Sequence, residues 1–247
     1  MQTQVARRLQ RVVTVSENSF KDIVADHHVD PDRMAIVPVG VDPNVFEPLP
    51  DIARVPGRLV TTASADVTMK GLKFLLEALA KIRTERDDVH LVVIGKEKPG
   101  GPSSQTIDRL GLRGHVEFVT GVPERRIIEL YSEAELAVVP SLYEGFSLPA
   151  IEAMSCGCPL VATTGGAVPE VVGPDGETAM LVPPGDSDAL AARIAAALDD
   201  PEGSRRIGLA GRRRVQDNWS WRHTAERTVA QYRMRLGQIP PHRGGIH

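Results

Sequence analysis

The feature that most constrains this chain is a repeated switch of hydrophobic period. Short, continuous, valine-rich apolar runs alternate with stretches whose leucines and isoleucines recur at helical spacing. Candidate strands fall at 12–15, 34–37, 59–62, 90–94, 115–119, 136–139, 159–162 and 180–182. Most have no polar alternation, as strands buried on both faces require. Between them Leu72, Leu75, Leu76 and Leu79 share one helical face, and Ile127, Ile128 and Leu130 follow Pro123. An alanine-rich helix is expected at 187–198 with Asp186 as its N-cap. Strand–helix alternation of this kind predicts a parallel sheet with right-handed crossovers. The fold class is therefore α/β, a Rossmann-like parallel sheet with helices on both faces. Such a sheet binds ligands at the carboxyl ends of its strands.

The alternation is complete only from about residue 56 to 200. Before it, strand 12–15 and a helix opening at Ser16 read as a detached strand–helix pair. A loop carrying Pro38, Pro43, Asn44, Pro48 and Pro50 follows and reads as a linker. After it come a helix expected at 219–236 and a polar tail. The expected division is 1–42 as the remnant of an N-terminal domain with its linker, 43–218 as the complete α/β domain, and 219–247 as a crossover helix with tail. An orphan strand and a final helix would leave apolar surface open to self-association.

Composition excludes several classes. A chain of 247 residues with 42% hydrophobic and 25% charged residues is an ordinary globular sequence. A formal net charge of −3 argues against a nucleic-acid partner. The two cysteines, Cys156 and Cys158, are spaced too tightly for an ordinary disulfide and have no second pair for zinc. They suit a reducing, cytoplasmic compartment. No apolar run approaches a membrane span. Arg7, Arg8 and Arg11 could touch anionic lipid as a peripheral contact, but a solvated helix face is the simpler reading. The same applies to Arg205-Arg206 and Arg212-Arg213-Arg214. Asp30-Pro31-Asp32 reads as a turn or cap, not a metal site. His27 and His28 are adjacent and point apart. Trp219 and Trp221 read as anchors for the last helix.

The chemistry is concentrated in YEGFSLPAIEAMSCGCPLVAT, residues 143–163, with Glu144 and Glu152 eight residues apart. Strand 136–139 ends just before this loop. Pro149 suits the first turn of a helix over 149–155, and Gly157 suits its end. The amides from Phe146 to Ala150 then point out of the ligand edge, where a helix start favours an anion. Gly145 permits close backbone approach. A carboxylate only accepts hydrogen bonds, so Glu144 and Glu152 are matched to hydroxyls rather than to phosphate. Glu152 suits a ribose diol and Glu144 a sugar. A phosphate, a ribose and a hexose together make a nucleotide sugar.

These residues carry a family resemblance. Glu144-Gly-Phe-Ser-Leu-Pro-Ala-Ile-Glu152, followed by Gly165-Gly166-Ala-Val-Pro-Glu170, resembles family 4 of the retaining glycosyltransferases, the glycosyl transferases group 1 of GT-B fold. Val15-Ser16-Glu17, Gly40-Val41-Asp42, Lys70-Gly71, Val93-Ile94-Gly95 and Phe118-Val119-Thr120-Gly121 add to it. The resemblance covers about residues 12 to 236. It implies the C-terminal, donor-binding half of a GT-B enzyme, plus the last strand and helix of the N-terminal half. It further implies catalytic roles for Glu144 and Lys70, the latter neutralising the leaving diphosphate. Gly145, Phe146, Ser147 and Leu148 would hold diphosphate and sugar, and Glu152 the ribose. Gly95, Gly121 and Val122 would flank the base. No cofactor and no metal are implied, the donor being a nucleotide-diphosphate sugar of UDP or GDP.

Two departures from the family pattern stand out. Alanine occupies position 65, five residues before Lys70, where the family usually has arginine. Lys96 or Lys98 could replace that cation. The acceptor-binding N-terminal domain is missing, so the isolated, truncated chain is expected to be inactive. The alternative is a non-catalytic nucleotide-sugar-binding or interaction module. A GT-B epimerase or phosphorylase is a third reading, and the phosphorylase lacks an identifiable pyridoxal lysine. Glycoside hydrolysis fails because its carboxylates must face one bond.

Overall fold

A computed structural model describes residues 2–63 and 67–237. In chain order the elements are α1 (Gln2–Ala6), β1 (Val12–Thr14), α2 (Glu17–His27), β2 (Met34–Ile36), β3 (Val55–Thr62), α3 (Leu72–Ile82), β4 (His90–Ile94), α4 (Pro102–Arg109), β5 (Val116–Val119), α5 (Glu124–Glu133), β6 (Ala134–Val139), α6 (Leu148–Ser155), β7 (Leu160–Thr163), α7 (Val168–Val172), β8 (Met180–Val182), α8 (Ser187–Asp199), α9 (Pro201–Asn218) and α10 (Trp221–Arg235). Short 3₁₀ turns sit at Pro31–Arg33 and Thr68–Lys70.

Six strands form one sheet in the order β5-β4-β3-β6-β7-β8, every neighbouring pair parallel. Its two faces are read directly from strand parity. Val60, Val92, Ala137, Val139 and Ala162 point into a core built from α5, α6, α7 and α9. Leu59, Leu91, Val93, Leu136, Val138 and Val161 point the other way, onto α3, α4 and α8. Leu75, Leu76 and Leu79 of α3 are wholly buried, and each such side chain contributes about 1.5–3 kcal/mol. Asp186 caps α8 through Asp188 N–H and Ala189 N–H, as its position in the sequence predicts.

β3 extends further back than residues 59–62. Its first half shifts register against β6 between Val55 and Leu59, with Gly57 at a φ of 72°. The early segment is also less orphaned than its pattern suggests. β1 pairs with β2 in a two-stranded parallel sheet, and α2 crosses between them. Ser16 caps α2 through Ser19 N–H. Residues 38–50 are packed rather than a free linker. Val41 and Phe46 are buried, and the Phe46 carbonyl accepts from Ser155 Oγ at 2.6 Å. Val41 runs parallel to Ser220, so both connections to the early segment pass side by side. A Cβ at Gly40 would meet the Ser220 backbone at 2.5 Å.

Several expectations about surface residues need correction. The last helix begins at Trp221, with Ser220 and His223 forming a capping box. Trp219 is the anchor, its indole N–H donating to Val171 O at 2.9 Å, whereas Trp221 is exposed. Arg213, Arg205 and Arg206 face solvent, but Arg212 and Arg214 do not. Arg212 donates to the carbonyls of Ser155 and Phe46, and Arg214 donates to Glu170 O and Val171 O at 2.8 and 2.9 Å. Burial lowers the Arg214 pKa from its ordinary value. A run of arginines on one helix cannot show by spacing alone which of them meets a carbonyl-rich helix end. Asp30 caps the turn at Pro31–Arg33 by accepting from Asp32 N–H. His28 adopts a left-handed C-cap conformation after α2. Among the described residues no helix is long and apolar enough to cross a membrane.

Candidate functional site

The strand order reverses between β3 and β6, and that reversal opens a crevice at the carboxyl ends of those two strands. The loop after β3 ends in the turn Thr68–Lys70, and the loop after β6 runs from 140 to 147. Glycine makes their contact possible. Gly71 has a φ of 68°, and a Cβ there would fall 1.8 Å from Pro140 O. Leu142 N–H donates to Met69 O at 2.8 Å, joining the two loops further. Gly165 and Gly166, after β7, support the same loop from behind. A Cβ on Gly166 would meet Glu144 O at 2.3 Å, and Ala167 N–H donates to that oxygen at 2.8 Å.

This packing brings Lys70 and Glu144 together, although 74 residues separate them. Lys70 Nζ donates to Glu144 Oε1 at 2.8 Å, and Ser141 Oγ donates to the same oxygen at 2.8 Å. The Glu144 side chain is 11% exposed and that of Lys70 29%, so the lysine forms the accessible side of the pair. Ala65, with Ser64 and Asp66, lies outside the described residues.

Beside this pair α6 begins. Ser147 stands at its N-cap position but makes no side-chain cap, and Pro149 occupies the first turn. Among the described residues no acceptor meets the backbone N–H of Phe146, Ser147 or Leu148. The Ser147 hydroxyl is buried and also lacks a partner. Glu152 lies one turn further along α6. Its Oε2 accepts from the Tyr131 hydroxyl at 3.4 Å, and Tyr131 Oη lies 3.1 Å from Thr62 Oγ1. Burial raises the Glu152 carboxyl pKa, the Tyr131 hydrogen bond opposes that rise, and the charge of Glu124 adds to it. Burial likewise pushes the Tyr131 phenol well above its ordinary value. The two glutamates thus face different elements: Glu144 the β3 loop, Glu152 the helix α5.

Gly95 follows β4, its N–H donating to Val119 O at 2.8 Å. Gly121, with a φ of 68°, and Val122 lie in the loop between β5 and α5. All three therefore sit on the strand edge that carries Lys70 and Glu144. Sequence reasoning missed Tyr131 and Glu124. Their spacing of seven places them on one face of α5, which is the signal that would have paired them. A depression of about 480 Å³ lies at the opposite edge beside Arg83, His90 and His115. Its arginine and histidines are already engaged, Arg83 with His115 at 3.1 Å and His90 with Arg58 at 3.2 Å.

The crevice therefore offers to an anion a cation and three N–H donors that meet no acceptor among the described residues, and to hydroxyls two carboxylates. Comparison with known proteins gives the family. The family described as Glycosyl transferases group 1 matches residues 54–214. The MMP alpha-(1->4)-mannosyltransferase of Mycolicibacterium hassiacum is 45% identical over 97% of this chain and 57% of its own length. The chain thus spans little more than half of that relative. Sucrose-phosphate synthase from Thermosynechococcus elongatus superposes with a TM-score of 0.84 at 28% identity, over 96% of this chain and 61% of that one. Anabaena HepE, solved in complex with UDP and glucose, shares the fold at a TM-score of 0.84 and 22% identity, over 96% and 66% respectively. With a parallel sheet, a switch-point crevice and a family match across the whole six-stranded unit, this chain belongs to the glycosyl transferases group 1 and carries the Rossmann-like α/β fold of one part of such enzymes.

Proposed function

We propose that this chain is the donor-binding half of a retaining glycosyltransferase that moves a sugar from a UDP- or GDP-sugar to an acceptor hydroxyl. The observation that carries this reading is the Lys70–Glu144 pair at the switch point, beside the free amides that open α6. The diphosphate lies against Lys70 and the N–H groups of Phe146, Ser147 and Leu148. Glu152 accepts the ribose hydroxyls, oriented by Tyr131. Gly95, Gly121 and Val122 border the base. Glu144 accepts a hydroxyl of the sugar and keeps Lys70 in place.

In the transfer, the bond between the anomeric carbon and the diphosphate oxygen breaks as the acceptor oxygen bonds on the same face. The acceptor proton passes to the departing diphosphate. Lys70 and the helix amides stabilise the charge that develops there, the kind of interaction that strengthens in the transition state. They do this without a metal ion. The mannosyltransferase relative supports hexose transfer, and the fold neighbour HepE, solved with UDP and glucose, supports the ligand class.

Residues 1–42 belong to the acceptor-side domain, 43–218 form the donor domain, and the helix after 219 crosses back to the first. The acceptor would be held by the remainder of that first domain. By itself the 247-residue chain therefore binds donor without transferring it. Exposed Val13, Val229, Tyr232 and Leu236 favour self-association of this chain. Calorimetric titration with UDP, GDP, ADP and their glucose conjugates tests the site, with Glu152→Ala as control. Saturable binding of one nucleotide, lost in the variant, is expected. A folded sample that binds none of them refutes the reading.

A further inference from the structure

The carbonyl of Gly145, at the centre of the candidate site, is held by a distant part of the chain. It accepts Ser16 Oγ at 2.6 Å and Ser19 Oγ at 3.1 Å. Ser16 Oγ already accepts Ser19 N–H as the cap of α2, which leaves its proton for Gly145. Glu170 secures the same helix end, its carboxylate taking Glu17 N–H at 3.0 Å on each oxygen. Asn18 adds a bond to Tyr143 Oη at 2.8 Å. The start of α2 is thereby fixed on the loop after β6 and on α7.

Among the described residues no peptide bond is cis. In a trans peptide the C=O and N–H point in opposite directions. Fixing the Gly145 carbonyl on α2 therefore fixes Phe146 N–H facing away from α2, and that N–H meets no acceptor among the described residues. The Phe146 ring is held independently, edge-on to Trp219 with centroids 5.6 Å apart. A side chain at Gly145 would press on the same contact, since its Cβ would sit 3.1 Å from Ser19 Oγ.

We propose that Ser16 and Ser19 are positioning residues of the donor site, orienting the 145–146 peptide so that Phe146 N–H meets the ligand's diphosphate. This rests on the reading of a nucleoside diphosphate at this crevice. It also makes the site a composite, because the sheet that carries Lys70, Glu144 and Glu152 needs α2 from the early segment to set one of its donors. Coupling between the two parts of the chain would then run through this carbonyl.

The test is titration of the ¹⁵N-labelled 247-residue chain with UDP and with GDP, following both affinity and the Phe146 amide resonance. Ser19→Ala removes one donor and leaves the α2 cap intact. Ser16→Ala removes donor and cap together, and Ser16→Thr restores both. Ser19→Ala is expected to weaken nucleotide binding roughly 3- to 10-fold, the change one net hydrogen bond carries. It should also shrink the Phe146 shift on binding while the unfolding midpoint stays near wild type. Ser16→Thr should bind as wild type does. Unchanged affinity and an unchanged Phe146 shift in Ser19→Ala overturn the proposal. So does a Phe146 amide that ignores nucleotide in the wild type while Glu152-dependent binding persists, an outcome that leaves the donor-site reading standing. Absence of any saturable nucleotide binding by the wild type defeats both.

Discussion

Gly71→Ala probes the contact that assembles the site. Gly71 and Gly111 have nearly identical backbone angles, φ of 68° and 67°. Alanine at either position suffers the left-handed penalty, about 1–2 kcal/mol. Their surroundings differ completely. A Cβ at Gly111 meets nothing within 4 Å, whereas one at Gly71 lies 1.8 Å from Pro140 O. That oxygen is backbone, so no rotamer change relieves the overlap and the loops must part. Overpacking of this kind costs a further ~1–3 kcal/mol. At about 2–4 °C per kcal/mol for a chain of this size, Gly71→Ala should melt roughly 2–12 °C below Gly111→Ala. Parting the loops also draws Lys70 away from Glu144. Nucleotide affinity should then fall about 10- to 100-fold, the worth of one charge-assisted hydrogen bond. Thermal unfolding and calorimetry on the two variants read both effects. Equal melting of the pair, or wild-type nucleotide affinity in Gly71→Ala, refutes the argument that this close approach builds the site.

Lys70→Ala removes the only charged partner bonded to Glu144 among the described residues. It should weaken binding of UDP or GDP to this chain about 10- to 100-fold, and unchanged affinity would take Lys70 out of the proposed donor site. Glu152→Gln tests linkage. Burial holds the Glu152 carboxyl above its ordinary 4.5 in the folded chain, so the folded state binds the extra proton. Its contribution to stability falls as pH rises from the ordinary value through the raised one, then stays level. Urea unfolding across that window should show a shallower slope for Glu152→Gln and higher stability at neutral pH, together with lost nucleotide binding. An identical slope would place the carboxyl in water. Tyr131→Phe deletes the hydrogen bond that opposes the rise, leaving burial and the Glu124 charge. The acid limb of nucleotide binding should move to higher pH, and a limb that stays in place would remove Tyr131 from the Glu152 environment.

Much of the fold was legible because its signals are local. Valine-rich runs without alternation marked the strands, and the leucines at 72, 75, 76 and 79 marked a helix. Asp186 marked its own cap. The short α4 was missed, having only Thr106 and Ile107 as its buried larger residues. The arginines of α9 misled for a related reason. Arg213 meets water while Arg212 and Arg214 meet carbonyls, and charge patterning weighs all three alike.

The site divides along the same line. Glu144, Glu152, the helix start between them and the glycines around them are contiguous, so the sequence alone marked them as candidates. Lys70 was found only through a family pattern, since nothing near residue 70 points to residue 144. The tertiary structure decided their partnership, the Tyr131–Glu152 contact and the two serines on Gly145. For the first two the physical reason is the strand order, whereas the serines arrive from the separate early segment. A parallel sheet places the ends of distant strands at one edge, and side chains meet there across 21 to 74 residues of sequence. Local periodicity specifies which face of an element is buried, but not which neighbour the sheet order will set beside it.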